Sequence, residues 1–204
     1  MLGGITWLGH ASVRIEGAIT IYIDPWKVQD AVPADLILVT HEHHDHLSVD
    51  DIAKLSGPNT VIVAPKVAAA KLKGDVRTVA PGQRLEVAGV SIEVVPAYNT
   101  NKPNHQKSAG HVGYVVELAG RRIYHAGDTD LIPEMADIRC DVAFLPVGGT
   151  YTMNAEEAAE ALARIRPQVA IPMHWGEVVG SERDAKRFQE MAPEGVRVEI
   201  LERA

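Results

Sequence analysis

The chain has 204 residues, with 46% apolar and 23% charged side chains, which suits one globular domain with a buried core, or two small halves packed closely together. Its formal net charge of -7 gives no electrostatic footprint for a nucleic-acid backbone, so a soluble protein acting on small molecules is the expectation. Aromatic residues are only 5%, a single cysteine (Cys140) excludes an internal disulfide, and no apolar stretch approaches the ~20 residues of a membrane span.

The N-terminal "MLGGITWLGH" lacks the basic start and apolar run of a signal peptide, and the expected location is cytoplasmic. The next stretch, "HASVRIEGAITIYIDP", reads as two apolar strands joined by a Gly-containing turn and ending near Asp24. "ADLILVT" follows, a short run rich in branched apolar residues that suits a buried strand. It leads into "HEHHDHLS" and then "SVDDIAKLS", a helix for which Ser48 is the N-cap and Asp50 and Asp51 lie in the first turn. "NTVIVAP" reads as a strand and "KVAAAKLK" as a helix.

The second half repeats the pattern. Residues 98–111, "YNTNKPNHQKSAGH", form a long polar loop of the kind that is often functional in a compact domain. "HVGYVVELAGRRIYHAGDT" is a second hairpin ending near Asp128, "CDVAFLPV" a second apolar strand, and "GGTYTMN" a second loop. "NAEEAAEALARIR" is the clearest helix, capped by Asn154, acidic at its start, basic at its end and stopped by Pro167. "QVAIPMHWG" reads as a strand that delivers His174, "SERDAKRFQEMA" as a last helix and "VRVEIL" as a closing strand. Two β-rich units with outer helices predict an α/β fold in four layers, αββα, with halves at roughly 1–95 and 96–204.

Residues 40–48, "THEHHDHLS", hold four of the chain's nine histidines and two acidic side chains. His41 and His43 are alternate residues leaving a strand and can point one way. Asp45 and His46 turn elsewhere as the helix begins, so one peptide can serve two adjacent metal ions. Imidazole with carboxylate suits zinc, iron or manganese.

"THEHHDH" resembles the HxHxDH signature of the metallo-β-lactamase fold superfamily, and the likeness extends across nearly the whole chain through "IDPW", "AGDT" and "PMHWG". "WLGHASVRI", "IYHAGDTD" and "AFLPVGGTYTMNAEEAA" resemble the branch that includes L-ascorbate-6-phosphate lactonase and many metal-dependent hydrolases. The resemblance independently implies the αββα fold. Carried over residue by residue, it implies that His41 and His43 hold one metal, that Asp45, His46 and His174 hold the other, and that Asp128 bridges both. The third histidine of the first metal is His105 or His111, with His105 favoured. Asp24 would orient the histidine loop, and His10 would lie near the metals, in contact with substrate or merely packed. His125 is expected as a supporting or core residue. Gly148 and Gly149 would allow a close backbone approach or form a plain turn. Tyr98 and Asn99 would border the third-ligand loop.

The implied function is a hydrolase with two divalent metal ions, zinc first and manganese or iron as alternatives. A bridging hydroxide would cleave an ester, lactone, amide or phosphodiester of a small molecule, with Asp45, Asp128 and His10 in the reacting region. Nucleic-acid processing and a non-catalytic metal-binding role are the alternatives. No membrane or nucleic-acid partner is expected, and homo-oligomerisation is suggested by analogy.

Overall fold

The computed structural model describes residues 2–204. Its first sheet contains β1 (Ile5–Gly9), β2 (Ser12–Glu16), β3 (Thr20–Ile23), β4 (Ala34–Leu38), β5 (Ser56–Pro65) and β6 (Asp75–Val79), neighbours in space in the order of the chain. Its second contains β7 (Arg84–Val87), β8 (Val90–Pro96), β9 (Val112–Leu118), β10 (Arg121–His125), β11 (Val142–Pro146), β12 (Val169–Met173) and β13 (Arg197–Val198), again in chain order. Each sheet starts with antiparallel hairpins and ends with parallel strands: β3 to β6 in the first, β10 to β13 in the second. The carboxyl ends of β3 and β4 therefore lie at one end of their sheet, and those of β10, β11 and β12 at one end of theirs. The loops that leave those ends build the site.

Alternation along the strands sorts the layers. Ile21, Ile23, Leu36, Leu38 and Val63 face a core shared with Ile92, Val116 and Phe144 of the second sheet. The intervening Tyr22, Ile37, Ile62 and Ala64 face a separate cluster with Ile52 and Leu55 of α1 (Val49–Leu55) and Ala68 and Ala69 of α2 (Lys66–Ala69). Both faces of β3, β4 and β5 are thus covered, which explains their continuously apolar sequences. Helices α3 (Ala155–Ile165) and α4 (Glu182–Glu190) pack on the second sheet through residues such as Leu162 and Phe188, completing the layers α/β/β/α.

The expected caps are present. Ser48 Oγ accepts from the Asp51 amide at the start of α1. Asn154 and Glu157 exchange hydrogen bonds at the start of α3, at 2.8 and 2.9 Å. Three elements differ from the sequence reading. "KVAAAKLK" is helical only over Lys66–Ala69. "VRVEIL" is a strand only at Arg197–Val198; after a last bond from the Glu199 amide to the Ala170 carbonyl the chain runs on until the Ala204 amide reaches the Trp7 carbonyl. Residues 75–96 form three strands, β6 to β8, that the hydropathy reading passed over. β6 and β7 are sheet edges with mostly exposed side chains, so they carry little apolar signal. Among the described residues, no helix is long and apolar enough to cross a membrane.

Candidate metal centre

His41 to His46 occupy the turn between β4 and α1. Amides of His46 and Leu47 fold back onto the His43 carbonyl at 3.0 and 2.8 Å, so the peptide is already coiling as it passes the site. His10 follows β1, Asp24 follows β3, Asp128 follows β10 and His174 follows β12. His105 comes from the long loop between β8 and β9. The two sheets each contribute to one buried cluster.

The cluster contains two outer groups and a third, His41, His46 and Asp128, that overlaps both. In the first, His43 Nδ1 lies 3.1 Å from both His41 Nε2 and His105 Nε2. In the second, Asp45, His46 and His174 bring one donor atom each to within 4.8 Å of one another, with His10 beside them. Asp128 lies between the groups: Oδ2 is 3.0 Å from His174 Nε2 and 3.2 Å from His105 Nε2, and Oδ1 is 3.2 Å from His46 Nε2. His46 Nε2, His174 Nε2 and Asp128 Oδ1 are buried and, despite these short distances, make no hydrogen bond. Their lone pairs converge rather than pairing donor with acceptor. Buried polar atoms left in this state are costly in a native fold unless a further group joins them, and a cation fits this donor set.

Supporting residues fix the rings. Asp24 is fully buried and accepts from the Thr40 amide (2.7 Å), from Thr40 Oγ1 (2.6 Å) and from His46 Nδ1 (2.8 Å). Thr40 gives its one hydroxyl proton to Asp24, so at 2.9 Å it accepts from His41 Nδ1. Both imidazoles are held with Nδ1 protonated and Nε2 free towards the centre. His105 is treated likewise, its Nδ1 facing Asn99 Oδ1 and the Tyr151 carbonyl, both at 3.2 Å. Asn99 is held in turn by Asp130, a buried carboxylate that also receives the Thr100 amide and the Lys102 ammonium. Asp130 had no signal in the sequence beyond its place in "GDTD", because its partners are about 30 residues away.

Backbone conformation contributes too. His10, Asp24 and His174 have φ of 50°, 48° and 59°, a region uncommon for residues with a side chain. The His174 amide donates to the His10 carbonyl at 2.9 Å and so links the two sheets at the site. Gly127, with φ of 64°, precedes Asp128, and a Cβ there would stand 2.7 Å from the Val112 carbonyl oxygen.

The electrostatics favour ligating forms at His41, His105, Asp45 and Asp128. Burial pushes His41 well below its ordinary value, with the neighbouring His46 adding to the effect. Burial pushes His105 down to about 4 against the opposing pull of Asp128. Burial alone would raise the Asp128 carboxyl, but His174 and His46 hold it well below the usual range. The same opposition holds for Asp45, where burial is outweighed by the His10 bond and His46. His46 is the exception: burial would lower it, yet Asp128 and Asp24 raise it towards the protonated form, which a cation beside Asp128 would oppose. Neutral imidazoles beside ionised carboxylates are the forms that bind a metal.

Of the remaining candidates, only His10 brings a ring nitrogen within 4.8 Å of the Asp45, His46 and His174 donors. His111 is buried, and its Nε2 faces Glu42 at 3.4 Å while its ring packs 4.8 Å from that of His41. His10 is fully buried behind Asp45, with Nε2 3.0 Å from Oδ2, and does not line the open cleft. His125 pairs with the Ala11 carbonyl and the Gly127 amide. Gly148 approaches the His174 carbonyl, where a Cβ would stand at 2.5 Å, and Gly149 bonds Met153 in a turn. His44 is exposed at the rim, Tyr98 bonds Glu134, and Cys140 is remote from the cluster. A cleft of about 240 Å³ opens onto His43, Asp45, His105 and Asp128.

An αββα sandwich with this histidine and carboxylate cluster at its strand ends defines the class. Residues 4–174 match the β-lactamase superfamily domain, and the chain belongs to that superfamily. Within it the chain groups with the UPF0173 metal-dependent hydrolases and is an enzyme of that kind. The Pyrococcus abyssi member is 36% identical over 215 residues, covering 97% of this chain and 95% of the relative. A crystal structure from Parabacteroides distasonis is similar at a TM-score of 0.86 and 33% identity, over 96% of this chain and 91% of the other. The metallo hydrolase Igni18 of Ignicoccus hospitalis is similar at a TM-score of 0.79 and 25% identity, over 97% and 94%.

Proposed function

We propose that the protein is a dinuclear metallohydrolase acting on small molecules. His41, His43 and His105 would hold one divalent ion; Asp45, His46 and His174 would hold the other; Asp128 would bridge them. The observation that carries this reading is the convergence of buried, unpartnered His46 Nε2, His174 Nε2 and Asp128 Oδ1 between two donor groups. The nitrogen and oxygen donors suit zinc first, with manganese or iron as alternatives. Bound divalent ions supply Lewis acidity and a water of lowered pKa as nucleophile.

The chain's own residues do the rest. Asp24, Thr40 and Asn99 keep three imidazoles in the tautomer whose Nε2 is free. Asp128, ionised and central, has an oxygen for each donor group. His10 donates to Asp45 Oδ2 and holds that carboxylate in place; in this reading it positions Asp45 and does not touch substrate. The cleft opens beside Asp45 and Asp128, so the scissile carbonyl or phosphoryl group would enter there. Its lining contains no lysine or arginine to follow a nucleic-acid backbone, which supports a small-molecule substrate.

Elemental analysis tests the reading. The purified chain should carry about two divalent ions, and Asp128→Ala should lose at least one of them with about 10³-fold or more of any ester or lactone hydrolysis. His105→Ala should lower the metal content while His111→Ala leaves it unchanged. A wild-type chain that takes up no metal after reconstitution would end the proposal.

A further inference from the structure

The walls of the cleft, as distinct from its floor, carry information about what enters. Four large apolar side chains are exposed among the described residues, and two of them, Tyr151 (36% exposed) and Val178 (40%), stand on the rim of this one cleft. Apart from the cluster itself, the other lining residues are His44 and Asn104. No lysine or arginine lines it.

The nearby cations are occupied elsewhere. Arg203 and Lys27 both pair with Glu177 Oε1, at 2.7 and 3.3 Å, and Lys102 pairs with buried Asp130. Glu177 is the residue before Val178, so the two cations anchor the segment that presents the Val178 wall. The volume of about 240 Å³ is below the ~300 Å³ at which drug-sized ligand sites begin. An anionic substituent lying against the walls would lose hydration without gaining a lysine or arginine partner there, whereas a short alkyl group would gain contact with two apolar side chains.

We infer that the cleft selects compact, uncharged carboxylic esters or lactones bearing a short apolar group, with Tyr151 and Val178 as the residues that read that group. The inference rests on the metallohydrolase reading and narrows its substrate class. It disfavours phosphorylated or carboxylate-bearing substrates.

The test is calorimetric binding of alkyl hydroxamates to the zinc-loaded chain, a measurement that needs no turnover. The hydroxamate head engages the metal centre while the tail samples the wall. Affinity should rise about two- to fourfold per methylene from acetohydroxamate to butyrohydroxamate. It should fall at least tenfold when a butyrohydroxamate-length tail ends in a carboxylate. Tyr151→Ala and Val178→Ala should each flatten the rise, and Val178→Ala should leave acetohydroxamate binding unchanged. Val178→Lys should shift preference towards the carboxylate-tailed compound. A wild-type series with no dependence on chain length, or with the carboxylate tail bound best, would overturn this inference alone. Failure of acetohydroxamate to bind at all would overturn the metal-centre reading and this inference with it.

Discussion

Asp24 lies outside the cleft lining, yet three hydrogen bonds converge on its carboxylate and two of the histidines proposed as ligands depend on it, His46 directly and His41 through Thr40. Asp24→Asn should therefore weaken metal binding about 10–100-fold, read by competition with a chelator, while the folded core survives. The protonation balance also predicts how the metal-free chain responds to acid. His105 has a folded value of about 4 against an ordinary 6.5, so between those limits the unfolded chain takes up a proton that the folded chain refuses. Its contribution to stability is complete above pH 6.5 and is lost as pH falls towards 4. His41, also lowered, acts in the same direction. His46 is raised, so its contribution is already complete below 6.5 and does not change across this window. The lowered values of Asp45 and Asp128 matter only below the window. Denaturant midpoints of the metal-free chain should drop between pH 7 and 4.5, and His105→Gln should flatten that drop.

At the scale of elements, the strand ends place the donors and small residues allow the strands to meet. Gly127 occupies a left-handed conformation against the Val112 carbonyl and the Thr40 side chain, where β10 delivers Asp128. Gly127→Ala should cost about 2 kcal/mol or more by adding backbone strain and an overpacked contact, measured by urea denaturation. Much of this arrangement was legible in advance. His41, His43, Asp45 and His46 share one peptide between an apolar strand and a capped helix, and Asp128 and His174 each end a strand in short, recognisable stretches. The preference for His105 over His111 came from the family resemblance; which of them faces His43 is a matter of how residues 98–111 fold around Asn99 and Asp130, and no periodicity encodes that loop. The edge strands β6 and β7 were illegible because exposed strands need few apolar residues. β8, whose "VSIEV" alternates buried with more exposed positions, did carry a signal.

At the scale of the molecule, donors from both sheets meet at one point. His10 and His41 to His46 belong to loops of the first sheet, and His105, Asp128 and His174 to loops of the second. A bound cation would therefore bridge the two sheets as well as serve chemistry, and it would stabilise the folded chain by about 1.4 kcal/mol for each tenfold excess over its dissociation constant. Thermal unfolding should shift upward with zinc and downward after chelation, and the shift should be smaller in Asp128→Ala. The left-handed backbone of His10, Asp24 and His174 bears on any attempt to make the chain hardier by substitution. Conformational repair would favour glycine at His10 and His174, where the strain of about 1 kcal/mol adds to buried ring nitrogens without a partner, whereas at Asp24 the loss of three hydrogen bonds outweighs it. A stability-guided library would therefore enrich changes that dismantle the centre. Screening the same library in the presence of zinc would reverse the ranking at these sites, and the positions where the two rankings disagree would trace the catalytic machinery without any knowledge of the substrate.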